Sequence, residues 1–165
     1  MFPVLVAYFS ASGVTAAAAK KLAYVAGGDL YEIRPAETYK KRDLNWLNPF
    51  ARSTREMKGK LPYPELADGN ANVAEHALIF LGFPIWWYRA PTIINRFLQS
   101  YNFTGKRIVL FATSGGSGFG KTAEKLREDI HGDAILEEGI LMNEDLTESE
   151  LVAWVERIKN RAQVE

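Results

Sequence analysis

The stretch Val4-Leu5-Val6-Ala7-Tyr8-Phe9-Ser10-Ala11-Ser12-Gly13-Val14-Thr15 decides how the rest of the chain is read. Its first six residues are apolar on both parities, the pattern of a strand buried on both faces. Pro3 stands at the start, where a strand can spare an N–H. The run then breaks into small hydroxyl residues and one glycine. It resumes as Ala16 to Ala26, an alanine-rich and strongly helix-forming stretch. The order is therefore buried strand, short polar loop, helix. Ser10, Ser12 and Thr15 bring O–H donors to the loop, and the helix start brings backbone N–H groups without intrahelical partners. Gly13 lets the backbone come close to a ligand. The loop has no Lys or Arg, so it suits a phosphate held by neutral donors and a helix N-terminus. Taken alone, it reads equally well as an ordinary helix cap.

Composition narrows the classes. At 165 residues, with 47% hydrophobic and 24% charged residues, the chain is expected to form one globular domain, residues 1–165. Twenty Lys and Arg balance twenty Asp and Glu, so nothing points to nucleic acid or to a polybasic membrane contact. The absence of cysteine excludes thiol catalysis, cysteine-ligated clusters and disulfides. Met1-Phe2-Pro3 leads into a strand without a basic leader, and no apolar run has bilayer length, so a soluble cytoplasmic protein is expected.

Working outward from the first strand, a helix is expected near Thr15 to Ala26, ended by Gly27-Gly28. Asp29 to Arg34 alternates and reads as a second strand near an edge. From Ala36 to about Glu75 the chain is irregular. Asn48 and Pro49 there suggest the cap and first position of a helix running to about Lys58. So long a connection often marks a lid or binding loop. Ala77 to Pro84 is a third strand, apolar throughout, leading into Ile85-Trp86-Trp87-Tyr88. A helix with Ile93, Ile94, Phe97, Leu98 and Tyr101 on one face follows Pro91. Ile108 to Thr113 is a fourth buried strand, opening into Ser114-Gly115-Gly116-Ser117-Gly118, with a helix near Lys121 to Ile130. Ala134 to Leu141 suggests a fifth strand interrupted at Glu137-Glu138. Thr147 and Glu150 form a capping box for a last helix that buries Leu151, Trp154, Val155 and Ile158. Alternating strands and helices imply an α/β fold: a doubly wound, five-stranded parallel sheet with helices on both faces and strand order 2-1-3-4-5. Its ligand site is expected beyond the carboxyl ends of the strands.

Three loops meet there. The first suits a phosphate. The second presents flat aromatic surfaces, and the third offers nearly bare backbone N–H groups to a heterocycle's carbonyls. A phosphate at one end and a planar ring at the other describe FMN. At this point the sequence resembles the flavodoxin-like family. Ser10-Ala11-Ser12-Gly13-Val14-Thr15 is similar to its phosphate loop, and Gly82-Phe83-Pro84-Ile85-Trp86-Trp87 with Ala90-Pro91 is similar to its second flavin loop. Thr113-Ser114-Gly115-Gly116-Ser117-Gly118 is similar to its third. The resemblance implies phosphate contacts from Ser10, Ala11, Ser12, Gly13, Val14 and Thr15. It implies isoalloxazine contacts from Pro84, Ile85, Trp86, Trp87 and Tyr88, and pyrimidine contacts from Thr113, Ser114, Gly115, Gly116 and Gly118. The chain departs from the family in three ways. It is neutral where dedicated shuttles are acidic, Tyr88 stands where related sequences often have glycine, and the stretch 36 to 75 is longer than in the short shuttles.

Other readings fit less well. Gly115 to Thr122 matches the Walker A pattern, yet too little chain follows for the remaining sheet of an NTPase, and no later strand ends in an Asp suited to magnesium. A receiver domain needs acidic residues where Ser10-Ala11-Ser12 stands. His76 and His131 are isolated and read as surface residues, so no metal site is expected. No serine-hydrolase elbow is complete. The function implied is electron transfer through FMN, with no catalytic side chain required. The alternative is an FMN-dependent NAD(P)H:quinone-type oxidoreductase. The expected partner is a redox protein or a small-molecule electron acceptor, and the expected state is monomer or homodimer.

Overall fold

Three of the apolar runs become the three central strands of one sheet. In the computed structural model, which describes residues 3–114, 118–143 and 146–164, the strands are β1 (Val4–Tyr8), β2 (Asp29–Glu32), β3 (Leu78–Pro84), β4 (Arg107–Thr113) and β5 (Ile135–Leu141). All neighbouring pairs are parallel and the order is β2-β1-β3-β4-β5, as the sequence implies. Successive side chains of a strand point to opposite faces, and the core divides accordingly. Leu5, Ala7, Ile79, Leu81, Ile108 and Leu110 face one cluster with Ile93, Ile94 and Phe97 of α3 (Thr92–Ser100) and Ala123 and Leu126 of α4 (Thr122–Arg127). Val4, Val6, Leu78, Phe80, Val109 and Phe111 face the other. That second cluster takes in Leu22 of α1 (Val14–Ala26) and Leu151, Trp154 and Ile158 of α5 (Glu148–Val164). Both faces of the central strands are covered, which is why their sequences carry no polar alternation.

The expected helix ends hold where local chemistry decides them. Gly27 closes α1 with a left-handed φ of 65°. Thr147 and Glu150 form the reciprocal cap of α5, the Glu150 N–H donating to Thr147 Oγ1 at 3.2 Å and the Thr147 N–H to Glu150 Oε1 at 3.2 Å. The Thr147 hydroxyl also donates to Glu150 Oε1 at 2.8 Å, and that bond, with the one from the Thr147 N–H, holds the Glu150 carboxyl below its ordinary range.

Other boundaries differ, each for a physical reason. β2 stops at Glu32, two residues short of the expected end. Asn48 does not cap a helix beginning at Pro49. Its Oδ1 accepts from the Phe50 N–H at 2.9 Å and its carbonyl from the Ala51 N–H at 3.1 Å, so Asn48 to Ala51 is a turn. The helix there, α2, runs only over Arg52–Met57. β5 is continuous through Glu137 and Glu138. Arg107 donates to Glu137 at 3.0 Å and Arg161 at 3.2 Å, so a strand position at the sheet edge carries a paired carboxylate. The irregularity falls at Gly139, where the register against β4 shifts. A Cβ there would stand 2.1 Å from the Leu110 carbonyl oxygen, so only glycine fits. His76 is buried rather than on the surface, its Nε2 lying 2.7 Å from Asp29 Oδ2 and its Nδ1 2.8 Å from the Asn72 carbonyl. No helix among the described residues is long and apolar enough to cross a membrane.

Candidate functional site

The parallel sheet aims the carboxyl ends of β1, β3 and β4 at one edge of the molecule, and the polar and aromatic loops leave from there. In the first loop, Ser10 Oγ accepts from the N–H groups of Gly13 and Ala16, both at 3.1 Å. With its lone pairs so used, the Ser10 proton points away from the helix and is available to a ligand. Gly13 precedes α1 with a φ of 97°. Nothing lies within 4 Å of where a Cβ would stand, so the loop is open on that side. Val14 and Thr15 open the helix with N–H groups that have no intrahelical acceptor. Ser12 is exposed beside them. The Thr15 hydroxyl, by contrast, turns inward. It lies 2.7 Å from the Thr113 hydroxyl and ties the start of α1 to the end of β4.

The second loop is aromatic and its backbone is strained. Trp86 and Arg89 exchange backbone hydrogen bonds, Trp86 N–H to Arg89 O at 2.8 Å and Arg89 N–H to Trp86 O at 3.1 Å. Between them Trp87 has φ 47° and Tyr88 has φ 65°. A two-residue turn with both central residues at positive φ favours Gly or Asn. Bulky side chains in this region cost about 1–2 kcal/mol each. Such strain concentrates where a loop is shaped for a ligand. The Ile85 N–H donates to Thr113 O at 2.9 Å, fixing the root of the loop to β4. Gly120, from the third loop, backs onto the Tyr88 carbonyl, where a Cβ would stand 2.9 Å from the oxygen.

A cleft of about 690 Å³ opens between these two loops. Ala11 and Ser12 line it from the first, and Pro84, Ile85, Trp86, Trp87 and Tyr88 from the second. This size falls within the range of small-molecule sites. Trp87 is 38% exposed and Tyr88 72%, so both rings have free surface. Trp86 sits deeper, edge-on to Phe9 and Tyr39 at centroid distances of 5.7 and 5.8 Å.

The opposite wall comes from the long connection, whose contribution is only partly legible in sequence. Leu44, Trp46 and Ser53 line the cleft from that side. Trp46 is 67% exposed, as a cover over the cleft would be. The wall is held by a buried clamp that sequence reasoning misses. Arg52 Nε donates to Glu56 Oε2 at 2.9 Å, Tyr39 O–H donates to Glu56 Oε1, and the Arg52 guanidinium stacks 4.0 Å over the Tyr39 ring. Burial, reinforced by the Glu56 carboxylate, pushes the Tyr39 phenol far above its ordinary value, so it stays a donor. The spacing of Arg52 and Glu56 at i, i+4 is the one signal in sequence that could find this clamp.

The third loop is only partly described. Thr113 is buried at the end of β4, Ser114 follows it and Gly118 is exposed. Gly115 and Gly116 lie outside the described residues. The Walker-like Thr122 is fully buried, and its hydroxyl donates to the Phe119 carbonyl within its own loop.

Comparison with known proteins identifies the family and the fold. The flavodoxin family model matches residues 3–158. A candidate flavoprotein from Bacteroides eggerthii is 41% identical, with 96% of this chain and 99% of that one covered and a TM-score of 0.87. A second, from Bacteroides uniformis, is 39% identical, with 94% and 98% covered and a TM-score of 0.84. A Lactobacillus acidophilus flavoprotein solved in complex with FMN shares the fold at 21% identity, with 93% and 99% covered and a TM-score of 0.71. No curated protein matches the chain. With a flavodoxin match over nearly its whole length and two relatives near 40% identity, the chain belongs to the flavodoxin family.

Proposed function

We propose that the protein binds FMN in this cleft and passes electrons through it. One observation carries the reading. A cation-free hydroxyl loop at the N-terminus of α1 opens into the same cleft as the aromatic turn Trp86-Trp87-Tyr88. Ser10, Ser12, Gly13, Val14 and Thr15 would hold the phosphate, Thr15 through its N–H. The residues Pro84 to Tyr88 would face the isoalloxazine. The donor set fits a phosphate without a bound metal, because the Ser10 hydroxyl, whose oxygen already accepts from Gly13 and Ala16, and the N–H groups of Val14 and Thr15 remain for it. That the Lactobacillus acidophilus flavoprotein of the same fold was solved in complex with FMN supports FMN as the ligand. When bound, the flavin supplies the redox chemistry, and the protein supplies binding, orientation and exclusion of water.

The test is a calorimetric titration. FMN should bind at 1:1 and riboflavin at least 100-fold more weakly, because hydrogen bonds to a charged group contribute about 1.5–3 kcal/mol each and several are lost with the phosphate. Equal affinities would remove the phosphate loop from the argument.

A second reading, an FMN-dependent NAD(P)H:quinone-type oxidoreductase, draws on the wall of Leu44 and Trp46, which offers a planar acceptor an apolar surface beside the flavin. Anaerobic NADH or NADPH bleaching the flavin within a turnover time would favour it over exchange with a redox protein.

A further inference from the structure

The wall supplied by the long connection contains a polar atom that the protein leaves unsatisfied. Ser53, the second residue of α2, is 2% exposed, and its Oγ has no hydrogen-bond partner among the described residues. Native proteins leave few buried hydroxyls unpaired, because each forfeits its bonds to water without a replacement. Ser53 also lines the cleft.

The backbone that carries Ser53 is held in place. Arg52, the preceding residue, donates to Glu56 and, at 2.6 Å, to the Glu37 carbonyl. The Tyr39 ring beneath that guanidinium packs edge-on against Trp86 of the second loop. The clamp therefore joins α2 to the aromatic turn as one packed unit, and Ser53 keeps its place in the wall. Thr54, the next residue, is a natural control. It is equally buried and its Oγ1 is equally unpartnered, but it does not line the cleft.

We propose that Ser53 is a flavin-binding residue, its hydroxyl hydrogen-bonding a neutral oxygen of the bound cofactor, a ring carbonyl or a ribityl hydroxyl. The inference rests on the FMN reading above. A hydroxyl can donate to the first and either donate to or accept from the second. The neighbouring wall, Leu44, Trp46 and Trp86, is apolar or aromatic, which suits a planar neutral surface and disfavours a charged group. The phosphate has its own donors in the first loop.

Urea unfolding of the apoprotein and FMN titration of the wild type, Ser53→Ala and Thr54→Val test this. Removing a hydroxyl that has no partner in the apoprotein should leave both variants at least as stable as wild type. Ser53→Ala should weaken FMN by about tenfold, and Thr54→Val should leave its affinity within twofold. Opposite movements of stability and affinity in Ser53→Ala are what a merely structural serine would not give. Three results would overturn the assignment: wild-type FMN affinity in Ser53→Ala, an equal loss in Thr54→Val, or a marked loss of apoprotein stability confined to Ser53→Ala. Failure of the wild type itself to bind FMN would instead sink the functional reading, so the two failures are distinguishable.

Discussion

The two ends of the sheet both have hollows, and they are built differently. At the amino ends of β4 and β5 a hollow of about 450 Å³ is lined by Lys106, Arg107 and Asp133 among others. Several polar groups there bond to a neighbouring side chain or to backbone. Lys106 Nζ donates to the carbonyls of Ala74 and His76 at 3.3 and 2.8 Å, Arg107 donates to Glu137, and the Gly105 N–H donates to the Asp133 carbonyl. His76 nearby has a partner at each ring nitrogen. At the carboxyl ends the cleft leaves Ser53 unpartnered, holds two aromatic residues at positive φ and exposes Trp46, Trp87 and Tyr88. Volume alone does not separate these hollows. What separates them is that the carboxyl end combines an unpartnered hydroxyl on the cleft wall with two adjacent aromatic residues at positive φ, a combination the amino-end hollow does not have among the described residues. Backbone strain of this kind concentrates at ligand sites, and the unpartnered Ser53 hydroxyl lies on the cleft wall where the equally unpartnered Thr54 does not.

The most direct way to break this contrast is at the first loop. Gly13→Asp should abolish measurable FMN binding, a loss of more than 100-fold, with far-UV circular dichroism unchanged. A carboxylate about 4 Å from the phosphate is worth about 4 kcal/mol of repulsion per unit charge at an effective dielectric constant of 20. Asp tolerates the left-handed region better than most residues, and the space around a new Cβ is open, so the fold should survive at a cost of about 1–2 kcal/mol. A folded variant that binds FMN like the wild type would show that the loop does not face the phosphate.

A smaller effect, with a counterpart at the other end, sharpens the comparison. Trp87→Ala should weaken FMN by about tenfold while changing stability by less than about 1 kcal/mol, since much of the ring is already exposed. Glu137→Ala should do the reverse. It removes a partner of the buried Arg107 and should cost about 2 kcal/mol in denaturant unfolding, discounted from a fully buried pair because Glu137 is partly exposed. FMN affinity should then stay within twofold, because β4 separates the two ends by about 20 Å at 3.3 Å per residue. If Glu137→Ala lowers FMN affinity as much as Trp87→Ala does, the ends are not independent.

The sequence carries more of the fold than of the site. β1, β3 and β4 are legible because burial on both faces leaves an unbroken apolar run, and α5 because its cap is written in four adjacent residues. β5 is less legible: Glu137 belongs to the strand through a long-range pairing with Arg107 that no local pattern reveals. The same holds for His76, whose partner Asp29 is 47 residues away. The hydroxyl-rich loop after β1 and the aromatic loop after β3 stand out because of their residue types, three hydroxyl side chains in one and three adjacent aromatic residues in the other. Ser53 does not, because an unpartnered hydroxyl is a property of the packed structure. Asn48-Pro49 misleads because Asn before Pro serves a turn as well as a helix cap, and Asn48 Oδ1 bonds two residues on, not into a helix.

The smallest expected effect tests the strain itself. Tyr88 holds φ 65° in the aromatic turn, and glycine would adopt that conformation without a Cβ penalty. Relief of about 1–2 kcal/mol is offset by the greater freedom glycine has in the unfolded chain, about 0.5–1 kcal/mol. Tyr88→Gly should therefore stabilise the apoprotein by only about 0.5 kcal/mol. Little packing is lost, because the ring is largely exposed. The backbone contact with Gly120 stays, since it is made by the Tyr88 carbonyl. FMN affinity should fall two- to fivefold through loss of the ring from the cleft wall. Stability is read from the urea midpoint at constant slope, and affinity from flavin fluorescence. A variant less stable than wild type would mean that the tyrosine ring, and not the turn conformation, dominates at this position. The strained turn would then no longer distinguish the carboxyl end of the sheet from the amino end.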